Sequence, residues 1–407
     1  MDYMKHLYNT WNSTYPVFII LFLLLFKYIT LTQIICGYLL YCLYIQLTSK
    51  TYLYYTKNNL NEKILSLSPS MQSQYKPHFL LPFGIQQMIT INLAKFPDAE
   101  NLTFNVENVN NEGLHLWWAS FKNQKIILDS NSPVLLFLPG MTGNVEDPYV
   151  QNIIIEGLKN GFNVVMFQMR ILNEKFLLPK KGTFRIYDDI DLCLDKIKEK
   201  YPNSKIYAIG GSYGANNLVY YLGYKNNKNK KIECAVSISN PYDMRLCERM
   251  CEDTIFSSLV VFLERDNFKK IKKGVEKTSI YNPHNLNAED VSLCEDMKAY
   301  DELFTRKIFD YKSADDYYIN ISAYNMIDKV NIPLLCLNSI DDGLTSNKAI
   351  PYDHIRLNEN IFLLVTDKGA HMCYISNEKF TEIKQWDIKP IFEFLNAYRK
   401  ISENNVK

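Results

Sequence analysis

The sequence predicts an α/β fold with a mostly parallel central sheet, a helical cap insertion and an N-terminal transmembrane helix. Three observations lead to this prediction. A long apolar stretch lies near the N-terminus, short apolar runs alternate with helix-spaced segments from residue 113 onward, and one polar, helix-spaced segment interrupts that alternation. The 407 residues, 47% of them hydrophobic, suffice for one large domain with an N-terminal extension.

The N-terminal apolar stretch is typical of a membrane anchor. From Tyr15 to Leu47 the only charged residue is Lys27, and Tyr28–Ser49 contains none. At about 1.5 Å per residue, Tyr28–Ser49 is long enough to cross a bilayer core of about 30 Å. A signal peptide would have a shorter apolar run followed by a small-residue cleavage site. We therefore expect a single-pass membrane protein anchored by residues 1–50, and an active soluble domain once these residues are deleted.

The rest of the chain is predicted to contain a lead-in, a main domain and a cap. Residues 51–111 are mixed in composition and contain several prolines, which predicts an irregular lead-in. Residues 112–407 have the alternating pattern of an α/β domain. Within that domain, a polar and largely helix-spaced segment at about 241–329 predicts the inserted cap.

Within the main domain, each element is predicted from its apolar pattern. Gly113–Ser120 and Lys125–Leu128 suggest a β-hairpin. Short apolar runs predict buried strands, and apolar residues at helical spacing predict helices. The strands are expected at Val134–Leu138, Asn163–Gln168, Lys205–Gly211, Glu233–Ser239, Ile332–Leu337 and Ile361–Thr366, and the helices at Val150–Lys159, Phe184–Tyr201, Ala215–Leu222 and Pro390–Ile401.

Composition argues against several functional classes. Lys and Arg total 45 against 44 Asp and Glu, so the net charge of +1 gives no overall attraction to nucleic acid. The nine cysteines include no C-x-x-C pair, and Cys247 and Cys251 have no partner His or Cys pair to complete a metal site. The glycine-containing stretch Leu138–Gly143 does not continue into the G-K-[ST] of a phosphate-binding loop. We expect no nucleic acid partner, no metal and no cofactor.

The most informative motif is the G-x-S-x-G at Gly210–Gly214. It follows the apolar strand residues Ile206–Ile209 and precedes the helix Ala215–Leu222, which is the strand–turn–helix setting of a nucleophile elbow in the α/β-hydrolase fold. Such a turn holds the Ser212 hydroxyl above the sheet, beside a helix N-terminus that favours developing negative charge. Ser212 is therefore the predicted nucleophile.

A serine hydroxyl needs a general base and an acid that orients the base. In this fold the acid and then the histidine follow the serine along the chain. Among the six histidines, only His371 lies in a loop after the last predicted strand, so it is the predicted base. Asp341 and Asp342 both follow the strand Ile332–Leu337. Because the acid tends to lie nine positions after a proline that begins this strand, here Pro333, we favour Asp342 and leave Asp341 open.

An acyl-transfer site also needs two backbone N–H groups to stabilise the oxyanion. One is expected from Tyr213, the residue after the predicted nucleophile. The other is expected from the loop Leu138–Gly143, which follows an early strand. Small residues on both sides of Met141 leave its amide free to point into the site, so Met141 is the predicted second donor.

Taken together, these motifs resemble the membrane-anchored α/β-hydrolase-domain-containing proteins, members one to three, and most closely member three. The resemblance covers about residues 75–375. It is most specific at Leu138–Gly143, Gly210–Gly214 and Phe304–Asp342. After the strand that follows the loop Leu138–Gly143, the family has Asn-Arg-Gly, whereas this chain has Met169–Ile171. We expect this change to reshape the acyl pocket.

The resemblance implies a serine hydrolase that cleaves carboxylic esters of membrane lipids, as a phospholipase A or lipid esterase does. It assigns nucleophile, acid and base to Ser212, Asp342 and His371. The expected partners are a lipid ester and the membrane, with the endoplasmic reticulum as one candidate location. Two alternatives stay open, an acyltransferase of the same fold and a catalytically silent membrane receptor or scaffold. The oligomeric state and the exact lipid are not predicted.

Overall fold

A mostly parallel sheet organises the chain in a computed structural model that describes residues 30–110, 113–122, 131–173, 176, 178, 185–225, 231–252, 254–278, 284–376 and 383–404. Within these residues the sheet has nine strands in the order β1-β9-β8-β7-β6-β4-β5-β3-β2. The strands are β1 Thr51–Tyr54, β2 Leu102–Asn108, β3 His115–Phe121, β4 Val134–Leu138, β5 Asn163–Gln168, β6 Ile206–Gly211, β7 Ile232–Ile238, β8 Leu334–Ser339 and β9 Ile361–Thr366.

The six strands β4 to β9 pair in parallel, and antiparallel strands lie at both edges of the sheet. Helices connect the parallel strands, as parallel pairing requires. The helices are α1 Leu31–Thr48, α2 Asn59–Ser66, α3 Gly84–Leu93, α4 Pro148–Lys159, α5 Ile186–Lys200, α6 Tyr213–Tyr224, α7 Met244–Cys251, α8 Ile255–Thr278, α9 Ala288–Leu293, α10 Met297–Tyr300, α11 Arg306–Ile308, α12 Ala314–Ile321, α13 Tyr352–Leu357 and α14 Ile388–Asn404.

The central strands are apolar along their whole length because both faces of the sheet are covered. In β4 every residue is buried. Val134, Leu136 and Leu138 pack into one hydrophobic cluster, and Leu135 and Phe137 pack into the cluster on the opposite face. This alternation is the two-residue period of a strand. The predicted parallel α/β architecture is therefore confirmed.

The predicted cap is also present. Helices α7 to α12 lie between β7 and β8, where the sequence changes from apolar runs to polar, helix-spaced residues. A π-helical turn at Asp301–Thr305 joins α10 to α11. Because the insertion leaves β7 at its carboxyl end, it begins at the edge of the parallel sheet where the predicted catalytic residues lie.

The predicted irregular lead-in was wrong in its secondary structure. Residues 51–111 include the strands β1 and β2, which form the two edges of the sheet. β1 was missed because it has only four residues and gains its hydrogen bonds from β9, far away in the sequence. β3, the first strand of the predicted hairpin, pairs with β2 and with β5. Lys125–Leu128 lies outside the described residues, and the domain boundary at residue 112 stays a prediction.

The helix α1 corresponds to the C-terminal part of the predicted anchor. It has 18 residues with a mean hydropathy of 1.4 and is the one helix, among those described, long and apolar enough to cross a membrane. Residues 1–29, which include the N-terminal part of the predicted anchor, lie outside the described residues. Cys42 and Ile45 on α1 are buried against the rest of the protein. α1 therefore packs on the domain along one side.

Candidate active site

The turn between β6 and α6 has the geometry expected of a nucleophile elbow. Ser212 has φ 54° and ψ −121°, a conformation that a residue with a side chain seldom adopts. The turn has no space for larger neighbours. A Cβ on Gly214 would lie 2.2 Å from the carbonyl oxygen of Leu138, and one on Gly210 would lie 2.6 Å from Cα of Ala215. The two glycines thus allow the tight turn that presents Ser212.

The histidine loop after β9 brings His371 into contact with Asp342. Nδ1 of His371 lies 2.8 Å from Oδ2 and 3.1 Å from Oδ1 of Asp342. The Asp342 side chain is fully buried, and that of His371 is 11% exposed. Oδ1 of Asp342 also accepts the backbone N–H groups of Leu344 and Thr345 at 2.8 and 3.0 Å. The carboxylate is therefore held in one orientation towards the imidazole.

Asp341, the other candidate acid, faces a different group. Its Oδ1 accepts hydrogen bonds from the Ser339 hydroxyl at 2.6 Å and from the Ala370 amide at 2.9 Å. Nζ of Lys368 lies 3.6 Å from its Oδ2. Asp341 thus contacts the loop that leads to His371 rather than the imidazole. The two neighbouring aspartates point to different partners, as adjacent side chains after a strand do.

The histidine loop and the elbow pack together. A Cβ on Gly211 would lie 2.3 Å from Cε of Met372, so the residue after His371 covers the residue before Ser212. The Met372 amide donates to the Ser239 hydroxyl at 3.1 Å. The neighbours of Ser212 and His371 are thus in contact, while in the described structure no hydrogen bond joins the Ser212 hydroxyl to the His371 ring. In enzymes without substrate such bonds are often long, and they shorten when substrate binds.

The loop after β4 lies directly over the elbow. A Cβ on Gly140 would lie 3.5 Å from Cβ of Ser212. The Gly140 amide donates to the Tyr149 hydroxyl at 3.3 Å, and burial raises the pKa of that hydroxyl, which stays protonated. Within the described part of the chain, the amides of Met141 and Tyr213 donate to no other group. An oxyanion site requires two such backbone donors, free of other partners and close to the nucleophile.

The cap is attached to the helix that begins at the elbow. The hydroxyl groups of Tyr213 and Tyr317 are 2.8 Å apart, which joins the residue after Ser212 to α12 of the cap. Asn216 on α6 donates to the carbonyl of Ile321 and accepts the amide of Ala323, both at 2.8 Å. α12 and the residues after it are therefore bonded directly to the first turn of α6.

Sequence reasoning did not identify the contacts of Tyr149, Tyr317 and Asp341. Tyr149 lies in the first turn of α4, nine residues after the glycine that it contacts, and Tyr317 is in the cap. No residue pattern marks either position. Asp341 was considered only as an alternative acid, and Lys368, two residues before the amide that Asp341 binds, was the one nearby signal of a second role.

Comparisons with known proteins show which family this chain resembles. A family model described as alpha/beta hydrolase fold matches residues 133–378. Among curated proteins, the chain is 28% identical to the embryogenesis-associated protein EMB8 of Picea glauca, 27% to the monoacylglycerol lipase of Saccharomyces cerevisiae and 26% to the phospholipase ABHD3 of Bos taurus. These alignments cover 67%, 67% and 64% of this chain.

The same alignments cover 60%, 61% and 63% of the three relatives, so the chain spans about three-fifths of the length of the curated relatives that it matches. The predicted resemblance, including that to the third member of the membrane-anchored group, is confirmed by these matches. The family model covers more than half of the chain, with the elbow, both aspartates and the histidine loop inside it. The chain belongs to the alpha/beta hydrolase fold family.

Proposed function

We propose that this protein hydrolyses carboxylic esters of membrane lipids, as a phospholipase A or lipid esterase does, through Ser212, Asp342 and His371. One observation carries the proposal. The buried Asp342 carboxylate orients His371, and the loop that holds His371 packs on the strained turn at Ser212. This combination of a half-buried serine in a strained turn, an oriented imidazole and a buried acid is the arrangement that activates serine for acyl transfer.

The reaction would proceed in two steps. His371 takes the proton from the Ser212 hydroxyl while the Ser212 oxygen attacks the ester carbonyl, and Asp342 stabilises the resulting imidazolium. The amides of Met141 and Tyr213 bind the oxyanion of the tetrahedral intermediate. His371 then donates the proton to the departing alcohol, which leaves an acyl-serine. In the second step a water molecule, deprotonated by His371, releases the fatty acid and restores the serine.

The lipid substrate is inferred from the relatives and from α1. Two of the relatives are named as a monoacylglycerol lipase and a phospholipase. The apolar helix α1 supports a place at a membrane, where such esters are found, and the endoplasmic reticulum is one candidate membrane. The same acyl-enzyme would serve an acyltransferase if an alcohol replaced water. A catalytically silent receptor would not need the oriented histidine.

The test is covalent labelling with a fluorophosphonate probe, together with hydrolysis of a short-chain ester. We expect wild type to be labelled and Ser212→Ala to lose labelling and about three or more powers of ten in kcat, because the nucleophile is removed. Ser66→Ala, an exposed serine on α2, is the control and should keep both. Full turnover by a folded Ser212→Ala protein would exclude this nucleophile.

Product analysis separates hydrolysis from transfer. In the presence of an excess of a long-chain alcohol, the proposed hydrolase releases mainly free fatty acid, whereas an acyltransferase forms mainly the new ester. A protein that is neither labelled nor active would support the receptor alternative.

A further inference from the structure

Helix α1 has two different faces. Tyr38, Tyr41, Cys42, Ile45 and Gln46 point towards the protein and are buried or half-buried. The opposite face is apolar and exposed, with Leu40 at 67% and Leu47 at 74% exposure. The large apolar residues exposed on α1 are Leu31, Ile35, Leu39, Leu40, Leu43, Tyr44 and Leu47. Water is an unfavourable environment for so many neighbouring apolar side chains.

The inner face of α1 is fixed to the segment that leads into α3. The Tyr38 hydroxyl donates to the Leu80 carbonyl at 2.7 Å and accepts from Gln86 at 3.0 Å. The Tyr41 ring stacks on Phe83 with the ring centroids 4.9 Å apart. These contacts come from successive turns of α1. The helix is therefore a fixed part of the domain surface and not only a tether.

A second apolar stripe lies on α3. Ile85, Ile89 and Leu93 are spaced four residues apart and so share one side of the helix. Ile89 is 56% exposed and Leu93 is 78% exposed, whereas Gln87 and Ile91 on the opposite side are buried. α3 contains no charged residue. Gln86 bonds to Tyr38, so the first turn of α3, where this stripe begins, lies against α1.

The first turn of α3 also touches the loops of the candidate active site. A Cβ on Gly84 would lie 3.1 Å from Cβ of Ala370 and 3.2 Å from the carbonyl oxygen of Asp341. Ala370 immediately precedes His371, and Asp341 immediately precedes Asp342. The apolar surface of α1 and α3 is therefore next to the loops that carry the proposed acid and base.

We propose that the exposed faces of α1 and α3 form one lipid-facing surface, with α3 lying in the boundary between headgroups and acyl chains beside the active site. The occupant is the bilayer because this surface is continuous with a helix long and apolar enough to enter a membrane. Lipid esters would then reach Ser212 sideways from the membrane. This inference rests on the proposed function for its substrate, but the membrane contact of α3 is independent of catalysis.

The direct test places tryptophan on α3 in the full-length protein, reconstituted in phosphatidylcholine vesicles. We expect brominated phosphatidylcholine to quench the added fluorescence of Leu93→Trp strongly, measured as the difference from the parent protein. Leu357→Trp is the matched control. Leu357 is 89% exposed on α13, just before β9 begins, at the edge of the sheet opposite the loop after β9. Equal quenching at the two positions would overturn the proposal.

The second test uses charge. Leu93→Asp should lower hydrolysis of vesicle phosphatidylcholine about tenfold, because a carboxylate is unfavourable in the interface, and leave hydrolysis of a soluble short-chain ester within about twofold. Leu357→Asp should change neither rate. Unchanged vesicle hydrolysis by Leu93→Asp contradicts the inference. A dimer in detergent that becomes a monomer in Leu93→Asp also contradicts it, because a second copy of the protein would then cover α3. A wild type without esterase activity would reject the proposed function, while the quenching result still decides the membrane contact.

Discussion

Two adjacent aspartates follow β8, and they have separate tasks. Asp342 binds His371 and is fully buried, and it is also fixed by two backbone amides. Asp341 binds the amide of Ala370 and lies near Lys368. The first contact orients the imidazole, and the second holds the backbone from which the imidazole extends. In the proposed mechanism, only the first requires a negative charge beside the histidine.

We therefore expect Asp342→Asn to lower kcat by about four powers of ten, because an amide cannot stabilise the imidazolium and favours the wrong tautomer. Asp341→Asn should lower kcat by less than about tenfold, since its amide oxygen can still accept from Ala370. Rates on a soluble ester measure both, and melting temperatures confirm that each variant is folded. Equal losses, or a larger loss in Asp341→Asn, would reverse the assignment.

The order of residues along the chain was sufficient to predict some residues of the candidate site and not others. The order serine, aspartate, histidine and the position after each apolar run led to Ser212, Asp342 and His371, and the observed contact of His371 with Asp342 is the geometry which that order implies. The positions of Tyr149 and Tyr317 depend on how two loops and a cap meet. Such contacts follow from packing in three dimensions and leave no periodic signal in the sequence.

At the scale of the elements, the packing of α1 changes what we expect from deletion of the N-terminal segment. The sequence suggests that the protein stays active without residues 1–50. The structure instead buries Cys42, Ile45 and Ser49 in that segment and bonds Tyr38 to the lead-in. Full burial of an apolar side chain contributes about 1.5–3 kcal/mol. Removing the segment therefore exposes the apolar residues beneath it, next to the loops around His371.

We expect deletion of residues 1–50 to lower the melting temperature and to reduce turnover of a soluble ester, whereas deletion of residues 1–29 keeps α1 and should change neither by much. Thermal unfolding and ester hydrolysis in detergent measure the two effects. An equally stable and active 1–50 deletion would show that the contacts of α1 contribute nothing to the site.

Whether a strand could be predicted from the sequence depended on how deeply it is buried and on where its partner strand lies in the chain. The six parallel strands are buried on both faces, which produces continuous apolar runs in the sequence, and all six were predicted within two residues of their bounds. β1 has the short sequence Thr51–Tyr54, with only half-buried or exposed residues. It becomes a strand because β9 offers it unpaired backbone groups, and that partner is not visible from local sequence.

At the scale of the whole molecule, burial raises the pKa of several carboxyl groups. Burial raises the pKa of Glu264 to about 8, with the nearby Asp301 adding to the shift. Burial likewise raises the pKa of Asp387 to about 8 and that of Asp301 to about 6. In the unfolded chain these groups lose their protons at ordinary values near 4. Between about pH 4.5 and 8 the folded state therefore binds more protons than the unfolded state.

By linkage, the free energy of unfolding contributed by these groups falls as the pH rises through that range. Glu264→Gln should therefore flatten the decrease in melting temperature between pH 5 and pH 8. Glu276→Gln, an exposed position on the same helix, is the control and should keep the parent profile. Melting curves across this range measure the effect. A Glu264→Gln profile as steep as that of the parent would show that Glu264 does not titrate in this way.

The pairing of β1 with β9 also determines when the molecule can be completed during synthesis. The Lys50 amide donates to the Asp367 side chain, 317 residues later, so this edge of the sheet closes only after Asp367 has left the ribosome. Until then β1 lacks its partner strand, and an unpaired strand is prone to join other strands. α1 and β1 leave the ribosome long before β9 is made. β9, the strand that leads to His371, is thus completed by β1, a strand from much earlier in the chain.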